Sequence, residues 1–402
     1  MSEPSHQEDP KAAYLGPFRL LRRVATGGMA EVFAARVAKE GGPEGADLGE
    51  LVALKRLLPG VDEDVDLVAM FHAEAELSSK LSHPHIARCY GLSYVPVTDE
   101  PFLVLEFVQG VDLGEVLQAK IKEDDPSPIA GEVLTAVALQ TLEALSYVQG
   151  LRDDQGAPLG VVHRDISPQN LRIRPDGLLK LLDFGIARFV GRSTDTLAGV
   201  LKGKHAYMSP EQVEGLTLDG RSDLFALGVL LHELATGRRL FRADTVPDTL
   251  NRVRQCEVPD LKELRPDLNP TLIALIMSCL SKSPDGRPET AAELLEELRV
   301  MVPGGVLEAQ GVLASWVEQT LGTERGQGPI PDEIGAYYAS LVCAEDKGEE
   351  TTDQIGVPDA TRVYRYGEEP PPYEPVPLNG QVLWLLYSLT AWGVLAVLWW
   401  IF

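Results

Sequence analysis

The stretch VVHRDISPQNLRI, residues 161–173, decides how the rest of the chain is interpreted. It holds a His-Arg-Asp triplet that ends at Asp165, and Asn170 follows five residues later. A short apolar run, a PDG turn and a second apolar run then lead to an Asp-Phe-Gly triplet that begins at Asp183. This order predicts two short strands around a tight turn. So long an ordered arrangement is not expected from turn residues alone.

The polar residues of this arrangement have the chemistry of phosphoryl transfer. The carboxylate of Asp165 can accept a hydrogen bond from an attacking hydroxyl group and take its proton. Asn170 and Asp183 supply hard oxygen ligands for Mg²⁺, which neutralises charge on phosphates. The sequence therefore predicts Asp165 as a catalytic base and Asn170 and Asp183 as metal ligands.

Upstream, VATGGMAEVFAAR (residues 24–36) places a glycine pair between two strand-like runs. Small residues let backbone N–H groups approach phosphate oxygens, although Gly-rich turns are also common hairpins. The run LVALK ends in Lys55, which is either an ordinary edge lysine or a phosphate ligand. On the helical stretch that follows, Glu74 is a better candidate than Glu76 for the carboxylate that holds this lysine.

Strand-like and helical patterns divide the chain into two parts. After a flexible lead-in at 1–16, short apolar runs with Gly-rich breaks predict strands from Phe18 to about Val108, interrupted by a helix at 64–82. The next part is mostly helical, with the clearest helices at 131–149, 222–237, 269–282 and 288–302. A small β-rich lobe followed by a larger helical lobe predicts an α+β fold with a cleft between the lobes.

The order of these motifs resembles that of a bacterial Hanks-type serine/threonine protein kinase over roughly residues 17–302. The segment AYMSPEQ, residues 206–212, is similar to the A-Y-M-A-P-E-Q of that family. The resemblance implies a bilobal kinase fold with an N-lobe at 17–108 and a C-lobe at 109–302. It also implies ATP and Mg²⁺ as cofactors and transfer of the γ-phosphate to serine or threonine hydroxyl groups of protein substrates.

The resemblance implies an ATP site, position by position. Adenine is expected on the backbone of Glu106 and Val108, and the phosphates on Lys55. Against the pattern G-x-G-x-x-G-x-V only Gly27 and Val32 match, because alanines replace the outer glycines. The other expected contacts are Glu74, Ala25, Thr26, Gly28, Met29 and Ala53.

Further residues are implied to have structural or regulatory roles. Glu211 is expected to pair with Arg287 and fix the activation segment, and Asp223 to brace the backbone of the catalytic loop. Arg164 favours regulation by phosphorylation, since a buried arginine needs an anionic partner. The hydroxyl groups placed for such phosphorylation are those of Ser193, Thr194 and Thr196, with an unregulated polar loop as the alternative.

Two departures from the family pattern lie beside the predicted base. Ser167 stands where the family has a lysine that reaches the γ-phosphate, and Lys204 where it has a threonine. The resemblance implies that these two positions face one another beside Asp165. We therefore expect Lys204 to supply the cation and Ser167 the hydroxyl group. Chance placement of a lysine in a loop that already holds Lys202 is the alternative.

The composition limits the partners. Asp and Glu number 60 against 36 Lys and Arg, a formal net charge of −24, and no basic run is longer than Arg22-Arg23 or Arg238-Arg239. A chain this acidic repels nucleic acid, so no nucleic-acid partner is expected. The four cysteines lack C-x-x-C spacing, which fits a reducing cytosol. The first twenty residues hold no apolar segment of a secretory signal.

Beyond the kinase-like region the composition changes. Residues 303–343 are predicted to hold additional helices, at 304–322 and 331–343, and 344–380 to form an acidic, Pro-rich linker. Residues 382–402, VLWLLYSLTAWGVLAVLWWIF, carry no charge and hold four of the five tryptophans. At ~1.5 Å per residue they span roughly 30 Å, the thickness of a bilayer core. We predict a single transmembrane helix, with a buried helix as the alternative.

The predicted helix sets the expected localisation in the cell membrane. Because ATP is cytosolic, the catalytic domain is expected in the cytoplasm, although Arg365 is too far from Val382 to fix the orientation by charge. We expect no sensor domain after Phe402, and therefore signals that arrive through partners. Confinement to the membrane plane favours autophosphorylation between two copies, and hence a kinase homodimer.

Two functions remain open at this point. The first is an active, membrane-anchored protein kinase, which the presence of Lys55, Asp165, Asn170 and Asp183 favours. The second is a pseudokinase that acts as a membrane-tethered signalling scaffold, which the lost glycines and Ser167 favour.

Overall fold

The computed structural model describes residues 13–27, 29–39, 42–58, 65–95, 99–122, 128–184 and 204–322. Some predicted features lie outside these residues and stay predictions: most of the lead-in 1–16, Gly28, Ser193, Thr194, Thr196, helix 331–343, linker 344–380 and the transmembrane segment 382–402.

The first lobe is built on a six-stranded antiparallel sheet with the order β1-β2-β3-β4-β6-β5. Phe18, Leu54 and Phe102 are completely buried, because alternate residues of a strand face the same side of the sheet. The rings of Phe18 and Phe102 meet edge to face, with their centroids 5.9 Å apart. Helix α1, Val65–Ser79, connects β4 to β5 and packs on β5. The strands are Tyr14–Leu15, Phe18–Thr26, Ala30–Val37, Leu51–Leu57, Cys89–Tyr94 and Pro101–Glu106.

The second lobe is helical, and its helices α3 and α5 are buried on nearly every face. Polar side chains cap the starts of five surrounding helices by accepting backbone N–H groups: Ser209, Thr245, Asp260, Asn269 and Thr290. Helices α2 to α10 are Leu113–Lys122, Gly131–Gln149, Pro210–Glu214, Arg221–Thr236, Val246–Gln255, Leu261–Leu264, Pro270–Cys279, Ala291–Met301 and Gly305–Leu321.

A second, three-stranded antiparallel sheet forms from segments that precede and follow helices α2 and α3 in the chain. Its strands β7 (Val111–Asp112), β8 (Leu171–Ile173) and β9 (Leu179–Leu181) pair in the order β7-β8-β9. The leucines and isoleucine of β8 and β9 are fully buried on one face. This sheet joins the chain on either side of the predicted catalytic loop, and Ala87 of the first lobe donates its N–H group to Leu181 at 2.9 Å.

These elements confirm the predicted α+β, bilobal arrangement. The helix predicted at 131–149 has the same bounds in the structure, and that at 304–322 is α10. Strands were predicted as far as about Val108, but β6 ends at Glu106, because the chain leaves the sheet and pairs again only at β7. Strand β5 and helix α6 were not predicted as separate elements: a glycine interrupts the first, and polar residues make up most of the second.

No single helix in the described ranges is long and apolar enough to cross a membrane, and only the segment Pro284–Met301 taken together with α10, across a bend of 77°, reaches that composition. Helix α10 packs against α3 and α2 and buries Ala309, Leu313, Trp316 and Val317.

Helix α10 also contacts the turn between β8 and β9. Gly177 in this turn has φ +80°, and a Cβ atom built there would lie 1.8 Å from the carbonyl oxygen of Gln310. The side chain of Gln140 holds the same turn, donating to the Gly177 carbonyl at 3.2 Å and accepting the Leu179 N–H group at 2.8 Å. Backbone contact between the turn and α10 therefore requires glycine at position 177.

Replacement of Gly177 by alanine should separate this contact from backbone strain. Gly156 has nearly the same φ, +83°, but no atom lies within 4 Å of its added Cβ atom. We expect Gly177→Ala to lower the free energy of unfolding by about 2 kcal/mol more than Gly156→Ala. Both alanines would strain the backbone, but only the one at position 177 would also overlap the backbone of α10. Denaturant unfolding of the full chain, followed by circular dichroism, measures this difference. Equal losses would contradict a tight contact with α10.

Candidate active site

The structure brings Lys55, Glu74 and Asp183 together at the cleft. The Nζ atom of Lys55, within β4, lies 2.5 Å from the Oε1 atom of Glu74 on α1 and 3.6 Å from Oδ1 of Asp183. The Glu74 side chain is 6% exposed, whereas Glu76 is 75% exposed and pairs with Lys80 on the surface. The helical period thus points only the first of the two candidates at Lys55.

A second group forms around Asp165. The Nδ2 atom of Asn170 donates to the Asp165 carbonyl at 2.8 Å and to its Oδ2 atom at 2.7 Å. These bonds fix the orientation of the carboxylate, and they turn the amide oxygen of Asn170 the other way. The backbone links this group to the first, since Leu182, next to Asp183, donates its N–H group to the Asn170 carbonyl at 2.8 Å.

His163 connects the catalytic loop to the Asp-Phe-Gly segment. Its Nε2 atom donates to the Leu182 carbonyl at 2.9 Å, and its Nδ1 atom accepts the Asp165 N–H group at 3.2 Å. This pairing requires the imidazole proton on Nε2. The ring also packs on Phe184, with centroids 4.7 Å apart. His163 is therefore a buried positioning residue.

The catalytic loop has a strained backbone that Asp223 holds in place. Arg164 has φ +69°, which a non-glycine residue rarely adopts. Both oxygens of the Asp223 carboxylate accept backbone N–H groups, from His163 and from Arg164, each at 2.8 Å. Gln212 donates to the Arg164 carbonyl at 3.1 Å. Burial raises the pKa of Asp223 to about 7, while these two N–H groups act to lower it.

Glu211 and Arg287 form a buried two-pronged ion pair, at 2.6 and 2.8 Å. The Arg287 guanidinium also lies over the Phe225 ring, 4.7 Å from its centroid, and Ser222 donates to Glu211 at 2.7 Å. Burial raises the pKa of Glu211, but the hydrogen bonds from Arg287 and Ser222 outweigh it and hold this pKa below its ordinary value. The pair joins the start of α4 to the segment before α9.

The Gly-rich segment is a hairpin between β2 and β3. Ala25 and Thr26 end β2, and Gly27 donates its N–H group to the Ala30 carbonyl at 2.8 Å. Val32 on β3 pairs with Lys55, so the segment leads directly to the lysine. Met29 lies in the turn and Ala53 on β4. A hairpin is what both interpretations of this segment require.

Comparison with known proteins places this geometry in a family. The family model described as "Protein kinase domain" matches residues 18–298. The chain belongs to the protein kinase family. The match covers both lobes and every residue of the two groups around Lys55 and Asp165.

Bacterial protein kinases of the Hanks type are relatives of this kinase. The serine/threonine-protein kinase PknB of Mycolicibacterium smegmatis is 32% identical over 319 residues, 78% of this chain and 46% of that protein. The serine/threonine-protein kinase pkn3 of Myxococcus xanthus is 35% identical over 295 residues, 71% and 50% of the two chains. The tyrosine-protein kinase MasK of Myxococcus xanthus is 33% identical over 383 residues, 91% and 57%. The kinase spans about half the length of these relatives.

The segment from the end of β6 through β7, residues 106–112, which we call the hinge, carries three contacts that sequence reasoning missed. Glu106 donates its backbone N–H group to the Arg88 carbonyl at 2.7 Å, and its side chain pairs with Lys180 at 2.8 Å. The Val108 carbonyl accepts a hydrogen bond from Nε of Arg172 at 2.7 Å. The only signal in the sequence is a charged residue at the centre of each apolar run, in LRI and in LKL.

The structure describes only one of the two side chains of the predicted exchange, that of Ser167. Ser167 is fully buried, and its hydroxyl group has no hydrogen-bond partner among the described residues. Lys204 begins a short 3-10 turn, Lys204–Tyr207, but its side chain lies outside the described part of the kinase. A buried hydroxyl group usually has a hydrogen-bond partner. Because the structure does not describe the Lys204 side chain, the exchange stays a prediction.

The donor set around Asp165 and Asp183 fits a divalent cation in a kinase. The residues that the structure describes contain no cluster of three histidine, cysteine or carboxylate side chains. The kinase offers instead the amide oxygen of Asn170 and the carboxylate of Asp183, which is 40% exposed. Mg²⁺ is commonly held by one or two protein oxygens, with water and substrate phosphates completing its coordination.

Charge removal at Glu74 should impair the kinase, and Glu76 supplies the matched control. Glu74→Gln leaves Lys55 without its closest carboxylate, so we expect kcat/KM to fall at least about tenfold. Glu76→Gln, on the same helix but facing solvent, should stay within about twofold of the wild type. Steady-state assays with varied ATP measure both. Equal effects would show that Lys55 does not need this pair.

Proposed function

We propose that this kinase transfers the γ-phosphate of ATP to serine and threonine hydroxyl groups of proteins. The observation that carries the proposal is the convergence of two groups on one cleft: Lys55 between Glu74 and Asp183, and Asn170 on Asp165. The names of PknB and pkn3 support serine and threonine as acceptors, while that of MasK gives tyrosine for that relative.

The geometry assigns a step to each residue. The hydrogen bond from Asn170 orients the carboxylate of Asp165, which would accept the proton of an attacking hydroxyl group. Lys55, its charge balanced by Glu74, is placed to bind phosphate oxygens of ATP. Asn170 and Asp183 would hold Mg²⁺, which when bound neutralises charge on the phosphates. Asp223 keeps the loop in its strained conformation throughout.

Phosphate transfer by the full chain should depend on Asp183. We expect incorporation of labelled γ-phosphate into the kinase itself or into a basic protein, and its loss in Asp183→Asn, which removes one metal-binding charge. Phosphoamino-acid analysis should return phosphoserine and phosphothreonine. Phosphotyrosine alone would contradict the proposed acceptor. If the wild type incorporates no label, or the Asp183→Asn chain incorporates as much, the pseudokinase scaffold is favoured.

Beside Asp165, we propose that Lys204 supplies the cation for the transferring phosphate and Ser167 the hydroxyl group. The buried hydroxyl group of Ser167 without a described partner supports this proposal. Catalysis would then depend on the order of the activation segment, because the cation belongs to that segment and not to the catalytic loop.

A comparison of two nearby lysines tests the exchange. Lys204→Ala should lower kcat about 100-fold, because a preorganised cation in a site closed to water stabilises the transition state by several kcal/mol. Lys202→Ala should stay within about twofold, as a surface change does. Both variants are measured with saturating ATP. Equal activities of the two would overturn the exchange.

We also propose that residues 382–402 anchor the kinase in the cell membrane, with the catalytic domain in the cytoplasm. The length and lack of charge of this segment support the proposal. Confinement in the membrane plane would raise the local concentration of the kinase and favour autophosphorylation between copies, at Ser193, Thr194 or Thr196. Phosphate at these positions would supply a hydrogen-bonding anion for the guanidinium of Arg164, whose Nε atom is buried without a hydrogen bond among the described residues.

Fractionation of cells tests the anchor. The full chain should sediment with membranes and resist extraction at alkaline pH, because an uncharged 21-residue helix partitions stably into lipid. A chain that lacks residues 382–402 should remain in the supernatant. Release of the full chain by alkaline carbonate would contradict a transmembrane helix.

A further inference from the structure

A row of charged residues crosses the small sheet on the face opposite its apolar core. Asp112 on β7 pairs in register with Arg172 on β8, which pairs with Lys180 on β9. Their neighbours Leu171 and Ile173 are fully buried, so strand alternation turns the charged residues to the other face. That face meets the hinge.

Arg172 binds the hinge through several of its donors. Its Nε atom donates to the Val108 carbonyl at 2.7 Å, and its Nη2 atom donates to the Gly110 carbonyl. Its Nη1 atom lies 3.9 Å from Oδ2 of Asp112 and 3.8 Å from Oε1 of Glu115. The planar guanidinium presents its donors in a fixed fork, which suits two carbonyl groups two residues apart.

Lys180 contacts the hinge at Glu106, two residues before Val108. Its Nζ atom pairs with Oε2 of Glu106 at 2.8 Å and donates to the Ile86 carbonyl at 3.3 Å. Together, Arg172 and Lys180 contact alternate hinge residues, at positions 106, 108 and 110. We call these two cations the hinge clamp. Both stand on the strands that carry the chain from Asn170 to Asp183, so the hinge clamp joins the hinge to the predicted metal ligands.

The surroundings of Arg172 are charged and partly closed to solvent. Burial lowers the pKa of Arg172, against the opposing effect of Glu115 and Asp112, and the charge of Arg22 on β2 lowers it further. Burial and a hydrogen bond with Asp112 raise the pKa of Glu115. Removal of the guanidinium would leave two close carboxyl groups unbalanced beside a cleft that must receive a polyanion.

We infer that Arg172 is a nucleotide-positioning residue, which sets the affinity for ATP by fixing the hinge backbone at Val108 and Gly110. The inference rests on the proposed placement of adenine on the hinge. Because the Val108 carbonyl already accepts a hydrogen bond from Arg172, we assign the Val108 N–H group and the Glu106 carbonyl as the hydrogen-bonding partners of adenine. Because Arg172 acts through the hinge backbone and not on the reacting groups, it affects ATP binding and not the rate of transfer.

Three variants of the full chain test this inference, with ATP binding measured by calorimetry and kcat and KM by steady-state assay. Arg172→Met should raise both Kd and KM for ATP about tenfold, as expected for lost hydrogen bonds from a charged donor, with kcat within about twofold. Arg172→Lys should lie between, since one ammonium group cannot serve both carbonyls. Arg174→Met is the matched control, because Arg174 pairs with Asp176 on an exposed turn, and it should match the wild type.

The outcomes separate this inference from the proposed function. An unchanged Kd for ATP in Arg172→Met, or an equal effect in Arg174→Met, overturns the inference, as does a fall in kcat with KM unaltered. Should Arg172→Met fail to fold, Arg172→Lys decides, since a wild-type Kd there also overturns it. A wild type that binds ATP but transfers no phosphate contradicts the proposed function, and the Kd comparison still decides the role of Arg172. A wild type that does not bind ATP overturns both.

Discussion

The carboxylate of Asp223 holds the catalytic loop in a conformation that the loop would not adopt alone. Left-handed backbone at a residue with a side chain costs on the order of 1–2 kcal/mol, and Arg164 is in that region. Two short hydrogen bonds from consecutive N–H groups to one buried carboxylate offset this cost. The orientations of Asp165, Asn170 and His163 all follow from that one turn of the backbone.

The other charged side chains of the site are arranged as ion pairs. Lys55 sits with Glu74 and Asp183, Arg287 with Glu211, and Lys180 with Glu106. Removal of one member of a buried pair leaves a charge without compensation, which is far more costly than loss of both. Each ion pair also connects segments that are far apart in the chain. The ion pairs therefore favour specific contacts between segments, and the apolar core supplies close packing.

The sequence predicted those parts of the site that depend on local order. The motif around Asp165 and the helical spacing of Glu74 against Glu76 required only residue types and short distances along the chain. The positive φ of Arg164 was not predictable, because arginine has no preference for it and the cause lies 59 residues away in Asp223. The contacts of Arg172 and Lys180 were missed for a related reason: they depend on strand register, and a shift of one residue would turn both side chains to the other face.

Helix α10 begins seven residues after the end of the matched kinase domain, at 298 and 305. Its buried residues Leu313, Trp316 and Val317 cover apolar surface of α3 and α2, and its backbone seats the turn at Gly177. The boundary of homology is thus not the boundary of the cooperative folding unit. A fragment that ends at the first boundary would expose the apolar surface of α3 and α2 that these residues cover, so recombinant versions of this chain should be designed to end beyond Gly322.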